Sequence, residues 1–278
     1  MAGPVRSAAV AGSWYPGTAE GIAAEVEGYL AAVACPPAPG RLVALISPHA
    51  GLRYSGPVAA YGYSLLRGRP SATVVLVGPS HRYAFEGLAV YARGAFETPL
   101  GRAPIDEDLA AALLAADARL ADAPRAHREE HSLEMQLPFL QQLVPDLRLV
   151  PILMGEQSRV LVDALAAALA RTLAGRDALL LASSDLSHYH PAPVANRLDA
   201  LVVEDVRRFD AESLMARLEA SHEHACGGGP IVAVMKAARA LGADTATVLR
   251  YADSGDAGEG DKSRVVGYLS AALSAAGA

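Results

Sequence analysis

Apolar residues gather along the chain in runs of strand length: 41–47 (RLVALIS), 72–78 (ATVVLVG), 87–92 (GLAVYA), 147–155 (LRLVPILMG), 178–184 (ALLLASS), 245–252 (TATVLRYA) and 264–270 (RVVGYLS). Several are unbroken rather than alternating with polar residues, which is the pattern of strands covered on both faces. Between them lie helix-length stretches at 19–33, 57–66, 106–116, 131–143, 159–173, 193–209, 211–220 and 230–241. Strands alternating with helices predict an α/β fold around a central, largely parallel or mixed sheet flanked by helices. No repeat of fixed period runs through the chain.

Composition narrows this picture. The chain has 278 residues, 52% hydrophobic and 19% charged, with no linker or composition break in its middle, so a single domain over 1–278 is expected. A net charge of −6 without a basic cluster excludes the electrostatic footprint of a nucleic-acid or anionic-membrane binder. The N-terminal MAGPVRSAAVAGSWYPG lacks the apolar core of a secretory signal, and no apolar stretch has bilayer length, so a cytoplasmic protein is expected. Two cysteines make no disulfide framework. Cys35 falls in a Pro-rich connector, CPPAPG, which leaves Cys226 as the cysteine needing explanation.

Candidate chemistry appears where strands stop. ALIS-Pro48-His49, VLVG-Pro79-Ser80-His81 and LLLASS-Asp185-Leu186-Ser187-His188 each end an apolar run and deliver a histidine within a few residues. Ligand sites of open α/β sheets form beyond the carboxyl ends of parallel strands, so these histidines are expected at one rim. Two imidazoles and a thiolate there would bind a divalent first-row ion and leave coordination positions open. A third histidine not used as a ligand would serve as a base, and His188, with Asp185 on the same turn, fits that role.

Other local patterns carry less. His127-Arg128-Glu129-Glu130-His131 satisfies the H-x-x-E-H zinc spacing, but His127 follows Ala123-Pro124 and is expected to precede the helix. Ser184, Asp185 and His188 crowd one turn and lack the G-x-S-x-G elbow of a serine hydrolase. Gly227-Gly228-Gly229-Pro230 has no Walker lysine; its glycines read as allowing close backbone approach, and Pro230 as opening a helix. The acidic loop 253–264 lacks the full calcium-loop spacing and is expected near the pocket mouth. In HEHACGGGP (222–230), His222 and His224 read as loop or helix-end residues.

The set GSWYPG, SPHAGLRYSG, GPSHR, EEHSLEMQLPFL, SSDLSHY, ACGGGPI and DSGDAGEGDKSRVVGY, running in order from Gly12 to Tyr268, resembles the Memo family, the AmmeMemoRadiSam-system B proteins. That family is similar in fold to class III extradiol ring-cleaving dioxygenases, whose iron is held by two histidines and a glutamate. The resemblance implies that His49, His81 and Cys226 hold a metal, that His188 stands where the dioxygenase base stands with Asp185 beside it, and that Trp14, Tyr15 and Tyr54 line the pocket. Glu130 and His131 read as pocket lining or support for a helix N-terminus. Fe2+ is the first expectation for the ion, with Cu+ or Zn2+ as alternatives. Cysteine replaces the glutamate, and a thiolate is softer and itself oxidisable, so ring cleavage does not follow from the fold. Two functions follow: a metal-dependent redox enzyme of dioxygenase-like kind, or a non-catalytic protein using the cleft to bind a metal or a peptide. The expected ligand is a small molecule or peptide in the cleft, and the family association implies an AMMECR-type protein and a radical-SAM protein as partners.

Overall fold

Residues 3–34, 40–69, 73–256 and 260–276 are described by the structure, a computed structural model. Cys35 and its connector lie outside them. The strands are β1 (Val5–Arg6), β2 (Arg41–Ser47), β3 (Thr73–Pro79), β4 (Leu88–Val90), β5 (Ala95–Thr98), β6 (Gly101–Pro104), β7 (Leu120–Asp122), β8 (Arg148–Met154), β9 (Ala178–Ser183), β10 (His188–His190), β11 (Thr245–Asp253) and β12 (Val265–Ala275). The helices are α1 (Ala19–Ala31), α2 (Leu52–Ser64), α3 (Glu107–Ala116), α4 (Pro124–His127), α5 (Leu137–Leu143), α6 (Arg159–Leu173), α7 (Ala192–Arg207), α8 (Ala211–Ala220) and α9 (Gly228–Ala240).

The expected architecture is present, and the sheet is mixed. Nine strands form it in the order β10-β12-β2-β9-β3-β8-β4-β7, with β11 paired to β12. Its centre, β2-β9-β3-β8, is parallel throughout, while β12 runs antiparallel to β2 and β4 antiparallel to β8. The unbroken apolar runs explain the centre: from Val43 to Ile46, Val74 to Val77 and Leu179 to Ala182, every residue is buried, and helices cover both faces. α6 and α9 pack together, with α9 against β9, while α2 packs on β2 and β12. A small sheet, β1-β5-β6, joins the main one through a bridge between Ile105 and Leu149.

Differences from the sequence reading have local causes. The short strands β1, β5, β6, β7 and β10 span two to four residues each, too few to show a period. α2 begins at Leu52, five residues before Pro57, because Gly51 and the bond from Leu52 N–H to the Trp14 carbonyl start it directly after the His49 loop. The helix expected from 131 forms only at Leu137, preceded by a 3-10 turn over Glu134–Gln136. Glu130 takes the His131 and Ser132 N–H groups and Ser183 takes the Ser132 carbonyl, so these backbone groups serve the site rather than a helix. No described helix is long and apolar enough to cross a membrane.

Candidate metal centre

Parallel β2, β9 and β3 bring their carboxyl ends to one rim. β2 delivers Pro48-His49, β3 delivers Ser80-His81, and β9 lies between them and ends at Ser183. Strands two positions apart in a sheet are separated by ~9.6 Å, so the imidazoles must lean together over β9 to share a ligand. They do: the His49 and His81 ring centroids stand 5.2 Å apart, nearly perpendicular. Cys226 comes from the turn before α9, with Sγ 3.2 Å from His49 Nε2. The ligand atoms of His49, His81 and Cys226 lie within 4.8 Å of one another.

Hydrogen bonds decide which ring nitrogens face the centre. Ser183 Oγ donates to the Ser132 carbonyl (2.6 Å) and receives Gln136 Nε2 (2.8 Å), so its contact with His49 Nδ1 (2.8 Å) requires an N–H on that nitrogen. His49 Nε2 is then the unprotonated atom, pointing at Cys226. His81 Nδ1 donates to Glu130 Oε1 at 2.9 Å, which leaves its Nε2 free. A carboxylate behind an imidazole is the arrangement that fixes tautomer and orientation of metal-binding histidines. Burial, followed by the nearby His81 and His131, pulls His49 well below the ordinary histidine range and keeps it neutral, as a ligand must be.

Glu130 is the hub. Its Oε1 accepts His81 Nδ1, His131 N and Ser132 N, and its Oε2 accepts the His81 and Arg82 amides. Burial alone would raise its pKa, but the hydrogen bonds from the His81 ring and from the backbone amides hold the carboxyl well below its usual range. Glu130, His81 and His131 also lie close enough to form a second potential ligand group. Five N–H donors already fill the carboxylate, so its role is to orient His81. Glu130 is therefore a support behind the ligands, more than the pocket lining read from EEHS.

His131 stacks on His81 (4.6 Å, 24°) and against Trp14 (4.3 Å), which places His131 and Trp14 beside the centre. Burial first, offset by Glu130 and reinforced by the nearby His81 ring and the Arg82 charge, lowers its pKa to about 4. His127 does not join them. It is buried beside Tyr91 and Phe96 with Nε2 on the Ala89 carbonyl, so the H-x-x-E-H pattern does not form a zinc pair.

Three expectations need correction in detail. Asp185 does not back His188: Oδ1 receives the amides of His49 (2.7 Å) and Ala50 (3.3 Å), its carbonyl receives Cys226 N, and no bond to the His188 ring occurs among the described residues. Asp185 thus braces two candidate ligands, with its pKa raised to about 7 by burial. His188 instead donates Nδ1–H to the Leu186 carbonyl at 2.8 Å, leaving Nε2 with a lone pair, and burial lowers its pKa. Tyr15 is buried with its hydroxyl on Glu134 Oε1 (2.7 Å), within the network that pins Arg6, Ala9 and Val10 to Glu134, so it is a structural residue rather than pocket lining. Tyr54 is 41% exposed and lies under Arg53 at the rim, on a groove shared with Tyr29 and Tyr61.

Cys226 owes its position to the glycines after it. A Cβ at Gly227 would meet the Ser183 carbonyl oxygen at 2.4 Å, and one at Gly229 would meet Met154 Sδ at 2.8 Å. Gln157 clasps the turn, donating to the Cys226 carbonyl and accepting from Gly229 N. Desolvation pushes the thiol well above its usual pKa, so without a metal it is neutral and donates to His49 Nε2. His222 and His224 lie in the loop between α8 and α9, as expected. In the acidic loop, Asp253 and Asp256 hold Lys262.

Sequence reasoning missed Ser183, Gln136 and Asp199. The first two hold His49, and Asp199 takes Ser187 N, close against Gly267. Their signal is contact across the fold, which one sequence does not carry.

The donor chemistry fits a first-row ion: two neutral imidazoles with outward lone pairs and one thiol that can lose its proton. The 3.2 Å edge between sulfur and nitrogen is near the ~3.6 Å that tetrahedral bonds of ~2.3 and ~2.05 Å would span. Fold and rim together define an α/β protein with a candidate imidazole–thiolate metal centre. The chain belongs to the Memo family: the family description "Memo-like protein" matches residues 6–272. It is 36% identical to a MEMO1 family protein of Pyrobaculum aerophilum, over 96% of this chain and 98% of that one. A MEMO1 family protein of Ignicoccus hospitalis is 38% identical over 95% and 96% of the two chains. The crystal structure of an uncharacterized protein from Escherichia coli K12 shares the fold, with a TM-score of 0.54 at 17% identity over 82% of this chain and 99% of that one.

Proposed function

We propose that this protein is a metal-dependent redox enzyme of dioxygenase-like kind, with Fe2+ as its ion and Cu+ as the second choice, held by His49, His81 and Cys226. The observation carrying this reading is the convergence of those three side chains, with Ser183 and Glu130 fixing both imidazoles so that Nε2 faces the centre. A bound first-row ion would supply Lewis acidity and one-electron redox chemistry. Cys226 releases its proton to become a ligand, and a reducing, cytoplasmic setting keeps that sulfur a thiol. His188 Nε2, with Nδ1 committed to Leu186, is positioned to take a proton from a bound substrate. Trp14, against His131, stands beside the centre.

The test is oxygen consumption. Anaerobically iron-loaded protein mixed with oxygen and a panel of catechols should consume oxygen, and His188→Ala should lower the rate by roughly 10²-fold or more. Consumption no greater than that of His188→Ala would overturn the enzyme reading in favour of a binding protein using the same ligands.

A further inference from the structure

Asp185 serves the amides of His49 and Ala50, which leaves His188 without a carboxylate on its ring. The chain around it nevertheless holds the ring in one state. Nδ1 lies 2.8 Å from the Leu186 carbonyl oxygen, and a carbonyl only accepts, so Nδ1 carries the hydrogen and Nε2 the lone pair. The direction of that carbonyl therefore decides which nitrogen is basic.

The Leu186 C=O and the Ser187 N–H belong to one planar peptide and point to opposite sides of it. On the far side from His188, the Ser187 N–H donates to Asp199 Oδ1 at 2.9 Å. Asp199 reaches this peptide from α7 and is fully buried, and the Tyr251 hydroxyl of β11 holds its Oδ2 at 2.8 Å. Gly267 of β12 completes the seat. It accepts the Leu186 N–H at 2.8 Å and donates to the Ser187 carbonyl at 3.0 Å. A Cβ on Gly267 would meet the Asp199 carboxyl carbon at 2.6 Å, so glycine is what lets the carboxyl come this close. Just beyond His188, β10 shifts register against β12 and Tyr189 takes φ 62°, a backbone state that a bulky residue keeps only where its surroundings hold it. A peptide whose N–H is engaged also offers a stronger carbonyl acceptor, because successive hydrogen bonds polarise one another.

We infer that Asp199 is the positioning residue of His188: it never touches the ring, but by holding the Leu186–Ser187 peptide it aims the carbonyl that fixes the Nδ1–H tautomer and leaves Nε2 as the basic atom. When Nε2 takes a proton, Nδ1–H stays bonded to the Leu186 carbonyl, and Asp199 stays on the other side of the same peptide. This deepens the reading above and rests on it only for the use of His188 as a base.

Nitrogen-15 NMR of the imidazole nitrogens in the metal-free, full-length protein reads the tautomer, with His188→Gln assigning the signals. Neutral His188 of the wild type should be protonated at Nδ1. Asp199→Ala should move the tautomer ratio toward Nε2–H by about 10-fold, the worth of one hydrogen bond. Asp199→Asn keeps an oxygen for the Ser187 N–H and can turn its NH2 toward the Tyr251 oxygen, so it should restore the wild-type tautomer. Tyr251→Phe removes only the bond that steers Oδ2 and should shift the ratio the same way by less, which keeps the test decisive where the alanine variant does not fold. In the iron-loaded protein Asp199→Ala should lower kcat for oxygen consumption with little change in KM. An unshifted Nδ1–H tautomer in Asp199→Ala, or in Tyr251→Phe where the alanine variant does not fold, would overturn the role of Asp199, as would an asparagine variant indistinguishable from the alanine one. A wild type that shows the fixed tautomer yet consumes no oxygen would instead overturn the enzyme reading, so the two failures read differently.

Discussion

Replacing Glu130 with Gln removes the support of His81 while keeping size and shape. The carboxylate accepts five N–H groups, three on Oε1 and two on Oε2. An amide retains one acceptor oxygen, so whichever way it turns, two or three buried donors face an NH2 group. At ~1.5 kcal/mol for each lost bond to a charged acceptor, the variant should be destabilised by roughly 3–4.5 kcal/mol. Released from Glu130, His81 is free to turn, and metal affinity should fall ~10–100-fold, the usual effect of losing a carboxylate behind a ligand. Trp14, the sole tryptophan, lies 4.3 Å from His131 and reports on the centre, so its fluorescence during a chelator-buffered Cu+ titration gives the affinity. Urea unfolding gives the stability, and the titration is run where the variant is folded. An affinity within about twofold of wild type in folded Glu130→Gln would refute the argument. The carboxyl's folded pKa lies below its unfolded value of ~4.3, so its contribution is complete above that pH and is lost as pH falls below it.

His127 should make the fold acid-sensitive by another route. Burial lowers its pKa to about 3, so the unfolded chain takes up a proton first, and stability falls as pH drops from ~6.5 toward 3. The upper bound is ~5 kcal/mol, and His127→Phe should flatten this slope of unfolding free energy against pH; an unchanged slope would show that the ring is not buried neutral. Tyr15→Phe should cost ~1–3 kcal/mol through the lost bond to Glu134 and leave metal affinity unchanged, whereas a large affinity loss would return Tyr15 to the pocket. Gly227→Ala sets a Cβ 2.4 Å from the Ser183 carbonyl and should cost ~1–3 kcal/mol while weakening metal binding. A variant as stable and as tight as wild type would refute the close approach.

What one sequence could reveal followed from its local signals. The central strands were legible because burial on both faces leaves unbroken apolar runs, and the rim was legible because three of the parallel strands, β2, β3 and β9, each lead within a few residues to a histidine. Short pairings such as β1 with β5 left no trace, since two residues carry no period. The partners of the site residues were hidden for a different reason. Asp185 looked tied to His188 by closeness in sequence, yet it bonds the amides of a loop 136 residues away. Glu130 read as helix support because its span to His81 is closed only by the fold. Cys226 joined the histidines through the family resemblance, and the glycines after it explain the approach in contacts that only packing displays.

The central claim is that His49, His81 and Cys226 bind one ion together. X-ray absorption at the metal edge of protein loaded with Cu+ or Fe2+ measures it most directly. The account predicts one ion per chain with a sulfur scatterer near ~2.3 Å and nitrogen scatterers near ~2.0–2.1 Å, and loss of the sulfur shell in Cys226→Ser. A metal-loaded wild type without a sulfur shell, or a Cys226→Ser spectrum identical to it, would contradict the account.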